Sequence, residues 1–234
     1  MTPVRRDFSG PWALAEALAD AVATVLREGV KARGGATLVV SGGTTPRRFL
    51  EALARQPLAW RDIDVTLADE RWVPPDHARS NERLLRETLL RGEAAAAKLL
   101  PLYTPRAPDP ESALVEIAAN LAKLPPTFDA VVLGMGMDGH CASLFPHGDH
   151  LGEALRVDGA AHVLPMRAPA AEEARMTLTL PALVNTRAMY LHIEGAQKHD
   201  VLATALAHTP PFEQAPVASV LEHSAATPEI FYCP

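Results

Sequence analysis

The sequence predicts an α/β fold in which a mostly parallel sheet is flanked by helices. Two continuous apolar runs carry this expectation, ATLVV at 36–40 and FDAVVLGM at 128–135. Runs without polar alternation are what strands buried on both faces of a parallel sheet require. Segments with apolar residues at helical spacing lie between such runs, and strands alternating with helices are the pattern of a parallel sheet with crossover helices. A third observation is where the strands stop. Three of the clearest strand ends break into glycine or charge, at 41–45, 69–71 and 134–140.

The elements follow in chain order. In 11–28, Leu14, Leu18, Val22 and Val25 or Leu26 recur at helical spacing, with Ser9 as the expected cap. ATLVV is the first buried strand. Pro46 then opens a helix to about Ala54 behind a Thr45 cap, since proline suits the first helical position. IDVTLA (63–68) is the next strand. Ser80 caps a helix over 81–91, KLLPLY (98–103) reads as a strand, and Asp109 and Pro110 open a helix with Leu114, Ile117 and Leu121 on one face. The Ala-rich RGEAAAAKL reads as a helical surface patch. FDAVVLGM is followed by a polar loop over 147–160, strands at 161–166, 175–180 and 188–194, and a helix over 197–207. The tail EIFYC (229–233) reads as an edge or closing strand.

Composition narrows the function classes. The chain has 234 residues and no composition break, so a single domain over 1–234 is expected. The formal net charge is −6 with no basic tract, which argues against a nucleic-acid partner but leaves room for a small anion held by a few local cations. No apolar run approaches the roughly 18 residues of a membrane span, and MTPVRRDFSGPW has no apolar signal core, so neither membrane nor export is expected. Cys141 and Cys233 lie far apart without CxxC spacing, as expected for reduced thiols in a cytoplasmic protein. A monomer or small homo-oligomer fits the length.

Ligands of open α/β sheets sit beyond the carboxyl ends of strands, so the three broken strand ends are the candidate site. In SGGTTP, Gly42 and Gly43 allow close backbone approach, Thr44 and Thr45 supply hydroxyls, and the following helix start supplies free N–H groups. That is a phosphate cradle in outline, or a plain strand-to-helix turn; the lysine of a Walker loop is missing. In DERWVP, Asp69 and Arg71 point to one side and Glu70 to the other. The pair is either a structural ion pair or a polar ligand contact. In GMGMDGH, the glycine spacing does not fit a dinucleotide fingerprint, but Asp138 and His140 follow a buried strand on a turn, where a histidine suits acid–base work. Cys141, His147 and His150 lack regular ligand spacing, so no metal is expected. By pattern alone Arg175 and Lys198 are solvated surface cations, although a lysine in the first turn of a helix opposes the dipole unless an anion is near.

Five blocks taken together, SGGTTP (41–46), DERWVPPDHARSN (69–81), GMGMDGHCASLFP (134–146), RMTLTLPAL (175–183) and GAQKHDVL (195–202), resemble the 6-phosphogluconolactonase family in content and order over nearly the whole chain. The resemblance implies a fold similar to that of the sugar-phosphate isomerases and deaminases. It implies hydrolysis of 6-phospho-D-glucono-1,5-lactone in the oxidative pentose phosphate pathway, with no cofactor and no metal. It puts the sugar phosphate against Gly42, Gly43, Thr44, Arg175 and Lys198, which reverses the surface reading of the two cations. It makes His140 the general base, with Asp138 orienting the turn or the imidazole, Arg71 on hydroxyls or the oxyanion, and Asp69 holding Arg71 or a sugar hydroxyl. Ser80 and Asn81 match the motif or cap a helix. Cys141 stands where threonine is commoner in the family, and Thr44 where serine is commoner.

Two rivals remain. Glucosamine-6-phosphate deaminases share a DGH turn, but they usually carry tyrosine where Arg71 stands and a catalytic glutamate after the histidine, where this chain has CASLFPH. A non-catalytic sugar-phosphate-binding module would keep the cradle and has no need of His140.

Overall fold

The structure, a computed structural model, describes residues 2–234. Ten strands and eight α-helices follow one another as β1 (Val4–Asp7), α1 (Pro11–Arg33), β2 (Ala36–Val40), α2 (Arg47–Ala54), β3 (Ile63–Leu67), β4 (Asp69–Arg71), α3 (Asn81–Thr88), β5 (Lys98–Leu100), α4 (Pro110–Leu121), β6 (Ala130–Leu133), α5 (Leu151–Ala154), β7 (Val163–Met166), β8 (Arg175–Leu178), α6 (Leu180–Val184), β9 (Met189–Glu194), α7 (Ala196–Leu206), α8 (Pro216–His223) and β10 (Glu229–Cys233) among the described residues.

Seven strands form a sheet in the order β1-β10-β9-β6-β2-β3-β5, every pair parallel. The mostly parallel α/β expectation therefore holds. Strands β2 and β6 are buried at every position, as their uninterrupted apolar runs require. From β2 the chain continues outward through β3 and β5, then returns to lay β6, β9 and β10 on the other side. The strand order reverses between β2 and β6, and a crevice opens there at their carboxyl ends. Helix α1 buries Leu14, Leu18, Val22 and Leu26 against β2, β6 and β10 and packs on α2; α7 covers β9. Buried apolar residues from both sheets and the helices join one core.

A second sheet, β4-β8-β7, is antiparallel. It sets Asp69 opposite Thr177, and Arg71 opposite Arg175. Glu70 is fully buried behind it. Its carboxylate accepts from the Ser80 hydroxyl and from the backbone N–H groups of Arg71, Asn81 and Glu82, so it anchors the start of α3. Asp69 and Arg71 face the other way, as strand alternation demands.

Several expectations need correction. Gly10, not Ser9, occupies the N-cap of α1, without a side-chain cap; the helix runs on to Arg33, where Gly34 at φ 77° ends it. Pro46 is the N-cap of α2, and no side chain caps it. Helix α3 stops at Thr88, though its Ser80 cap is present. The Ala-rich segment is a helical surface patch as expected, but a 3-10 turn over Gly92–Ala96 with Ala94 buried. The 147–160 loop contains the short α5. EIFYC is interior, because the unforeseen strand β1 pairs beside it and takes the edge. Helices α6 and α8 were also unforeseen; each begins around a proline, at Pro181 and Pro216.

Candidate functional site

A cavity of about 210 Å³ opens at the strand-order reversal. Gly42, Gly43 and Thr44 line it after β2, Gly134 and His140 after β6, Asp69 and Arg71 from β4, Arg175 from β8, and Lys198 from the first turn of α7. Asp138 stands behind His140. The structure thus brings all nine sequence-derived site residues to one place, including the two cations whose pattern alone marked them as surface.

His140 follows a turn closed by bonds from Gly136 N–H to the His140 carbonyl (2.9 Å) and from Gly139 N–H to the Gly136 carbonyl (3.1 Å). Asp138 Oδ1 accepts from the His140 backbone N–H at 3.2 Å and lies 2.5 Å from Nδ1. Asp138 therefore orients both the turn and the imidazole. Burial pushes its carboxyl up, but the hydrogen bond to His140 and the imidazole's charge outweigh this and hold it below its ordinary value. An ionised acceptor at Nδ1 places the hydrogen there and leaves Nε2 with a free lone pair. Gly136 makes room for the ring: a Cβ there would lie 2.2 Å from His140 Cε1 and Nδ1. Phe145 packs on the imidazole, with ring centroids 4.3 Å apart.

The cradle is equally tight. A Cβ at Gly42 would lie 1.9 Å from Asn81 Oδ1, and Gly43 has φ 98°, which favours glycine. Asn81 is more than the first residue of α3. Its buried amide donates to the Asp69 carbonyl at 2.9 Å and forms part of the cavity wall.

Asp69 does not hold Arg71. Its Oδ2 accepts from the Ser143 hydroxyl at 2.6 Å and pairs with Arg175 Nη1 at 3.6 Å. The cross-strand register explains this, because it brings Arg175 in from β8 beside Arg71. Arg71 instead donates from Nη1 to the Arg79 carbonyl at 2.5 Å. Two guanidinium groups directly opposite in an antiparallel pair repel each other. Burial pushes Arg175 below its ordinary pKa, Asp69 pulls it back, and Arg71 adds to the lowering. Lys198 is lowered by burial as well, against the pull of Glu194. Three cations lining one cavity, one of them 6% exposed, are arranged for an anion.

Five buried side-chain polar atoms lack a hydrogen-bond partner among the described residues: Ser41 Oγ, Arg71 Nε, Arg175 Nε, His192 Nδ1 and Ser224 Oγ. The first four belong to residues lining this cavity. Unpaired buried polar atoms are rare in folded proteins, and their concentration here marks a ligand site.

Residues 10–228 match the family model described as glucosamine-6-phosphate isomerases/6-phosphogluconolactonase. The chain belongs to that family. A relative from Rhizobium meliloti (strain 1021), named 6-phosphogluconolactonase, is 44% identical over 227 residues, 97% of each chain. A crystal structure of a 6-phosphogluconolactonase from Shewanella baltica OS155 superposes with a TM-score of 0.94 at 39% identity, covering 99% of this chain and 98% of that one. A monomeric glucosamine-6-phosphate deaminase, at 16% identity and TM-score 0.76 over 98% of this chain and 97% of its own, shares the fold.

Within this family member, three site residues escaped sequence reasoning. Ser143 and Phe145 lie three and five residues after His140 in CASLFP, and only that block's position pointed to them. The Arg175 guanidinium carbon lies 5.3 Å from the Phe145 ring centroid, so Phe145 touches both the imidazole and a cation. His192 lines the cavity from β9; its one signal is a polar residue inside the apolar run MYLHIE. Among the described residues no helix is long and apolar enough to cross a membrane.

Proposed function

We propose that the protein hydrolyses 6-phospho-D-glucono-1,5-lactone to 6-phospho-D-gluconate, the hydrolytic step of the oxidative pentose phosphate pathway, as a single-domain cytoplasmic enzyme. The observation that carries this reading is the convergence of an oriented imidazole and three cations on one cavity. The phosphoryl group lies against Gly42, Gly43, Thr44 and Lys198, with Arg175 adding charge. Arg71 faces the lactone's hydroxyls and the carbonyl oxygen.

Chemistry then proceeds in two proton transfers. His140 Nε2 takes a proton from water as its oxygen attacks the lactone C1. The carbonyl π bond opens, and its electron pair moves onto oxygen, where the Arg71 side of the cavity stabilises the charge. The carbonyl reforms, the C1–ring oxygen bond breaks, and the imidazolium returns its proton to the departing alkoxide. Asp138 stays ionised throughout and steadies the imidazolium at Nδ1. Asp69 positions Arg175 through Oδ2, the oxygen that also accepts from Ser143.

The residues that follow His140 disfavour the deaminase reading. Ring opening followed by abstraction of a carbon-bound proton needs a further acid–base group, and CASLFPH carries no glutamate where the deaminases have theirs. A binding module without turnover has no use for an Asp138–His140 pair held at 2.5 Å. The test is His140→Ala with freshly prepared phosphorylated lactone and an enzyme-free control for spontaneous hydrolysis. Turnover falls by about a hundredfold or more while the fold persists. Undiminished turnover removes His140 from the mechanism, and turnover of glucosamine 6-phosphate by the wild type overturns the substrate.

A further inference from the structure

His192 sits on β9 at 2% exposure and lines the same cavity, three residues before Gly195, as Lys198 is three after it. Its Nε2 lies 3.1 Å from Glu194 Oε1, while its Nδ1 is buried with no partner. A carboxylate only accepts, so Nε2 carries a hydrogen, and the neutral ring presents a bare lone pair at Nδ1. Resting on the reading that a phosphoryl group occupies the Gly43–Lys198 end, the mismatch is plain. A phosphate dianion also only accepts, and two lone pairs cannot bond. One added proton removes the conflict. On Nδ1 it makes an imidazolium that donates to the dianion; on a phosphate oxygen it makes a monoanion that donates to Nδ1. Both arrangements have the same composition.

Among the described residues the surroundings offer Nδ1 no acceptor of their own. Glu194, on the same strand, is the carboxylate bonded to the ring. It is shared with Arg48 of α2, whose Nη1 lies 3.9 Å from Oε2, and it also feels Lys198 of α7. Cys233 of β10 pairs with Glu194 in register, and its thiol is held up by burial and by that carboxylate. The neighbouring strand ends of β2 and β6 offer Ser41 and Gly134, which carry no charge. In the free site a hydrogen on Nδ1 would have no acceptor, and a dianion entering the cavity supplies one. We propose that phosphate binding takes up one proton at the His192–phosphate contact, which makes His192 a phosphate-binding residue of this site.

Titration calorimetry at about pH 8, in two buffers of different ionisation enthalpy, counts that proton. A phosphate monoester is a dianion there, its second pKa being about 6. The ligands are 6-phosphogluconate and, as the unphosphorylated control, gluconate. The expected result is uptake of about one proton per 6-phosphogluconate and none with gluconate. In His192→Asn the uptake disappears and affinity falls about tenfold, the scale of one charge-assisted hydrogen bond. Zero uptake in the wild type, or equal uptake in His192→Asn, overturns the proposal while leaving the phosphate site intact. Equal affinity for both ligands overturns the phosphate site and this proposal together. If His192→Asn does not fold, nitrogen NMR of the wild type with labelled histidine decides. Movement of Nδ1 away from its lone-pair position on adding 6-phosphogluconate supports the proposal, and an unmoved signal refutes it.

Discussion

Gly136→Ala isolates the placement of the imidazole from its presence. The new Cβ would lie 2.2 Å from both Cε1 and Nδ1 of His140 and 2.7 Å from Asp138 Oδ1. Ordinary contact begins at 3.4 Å, so the ring must retreat by about 1.2 Å. The 2.5 Å approach of Nδ1 to Asp138 cannot survive that shift unchanged. A displacement near 1 Å of a catalytic group costs about a hundredfold in rate, or about 2.7 kcal/mol of transition-state stabilisation. Stability suffers less. The imidazole is 29% exposed and swings toward solvent, so the overpacking penalty sits near the low end, about 1 kcal/mol, or a fall of roughly 2–4 °C in Tm. The cradle at Gly42–Thr44 and Lys198 on α7 are untouched, so KM holds. Steady-state hydrolysis of fresh lactone, corrected for the uncatalysed reaction, gives kcat and KM, and a thermal melt gives the stability. An unchanged kcat in a folded Gly136→Ala protein would refute the claim that His140 acts from the position the turn gives it.

Other outcomes follow from the same geometry. Asp138→Asn can donate to Nδ1, which moves the ring hydrogen to Nε2, so kcat falls about a hundredfold or more with KM little altered; equal kcat in wild type and variant would exclude the orienting role. Because the Asp138 carboxyl is held below its ordinary value, its stabilising contribution is present above the usual carboxylate range and lost as pH falls through the depressed value, so urea titrations of the two proteins converge in strong acid. Ser143→Ala strips the buried Asp69 of its 2.6 Å donor, costs about 1–3 kcal/mol in denaturant unfolding, and raises KM several-fold more than it lowers kcat; unaltered stability would show that Asp69 does not depend on it. Lys198 deprotonates as pH rises through a value below that of an ordinary lysine, so affinity for 6-phosphogluconate weakens on the alkaline side earlier in the wild type than in Lys198→Arg. Superimposable affinity–pH curves would take Lys198 out of the phosphate contact.

The central strands were legible because burial on both faces leaves an unmistakable record. ATLVV became β2 residue for residue, and β6 fell inside FDAVVLGM. The edge was not legible. VRRD, the β1 sequence, has one apolar residue and all four positions are exposed; it is a strand because β10 offers it a parallel register, and no local propensity announces that. Ser9 misled for a related reason. Pro11 already sets the helix start, so the N-cap falls to Gly10 and Ser9 is left outside it. For the site, residue types at strand ends pointed to the right places, while partners did not follow. Asp69 and Arg71 are near in sequence and on one face, yet Asp69 pairs with a residue more than a hundred positions away, because register in the small sheet decides which cation arrives beside it.

That register also explains why the segment after His140 carries so much. The parallel sheet supplies the cradle, the imidazole and Lys198; the antiparallel sheet supplies Asp69, Arg71 and Arg175. A lactone gripped and attacked from the parallel sheet but met by the cations of the antiparallel one needs both sheets fixed to a fraction of an ångström. Backbone continuity does part of this, since Ala68, the single residue between β3 and β4, donates to the Val40 carbonyl and accepts from Leu178 N–H. The rest falls to Ser143. Its N–H donates to Thr177 Oγ1 at 3.2 Å and its hydroxyl to Asp69 Oδ2, so the chain leaving the histidine turn is tied to β8 and β4 at once. Phe145, two residues on, fills the space between the imidazole and the Arg175 guanidinium. Apolar packing on both groups sets their separation without giving either a competing hydrogen bond. The base thus keeps its lone pair for water, while Arg175, paired with Asp69 through Nη1, keeps Nε without a partner among the described residues.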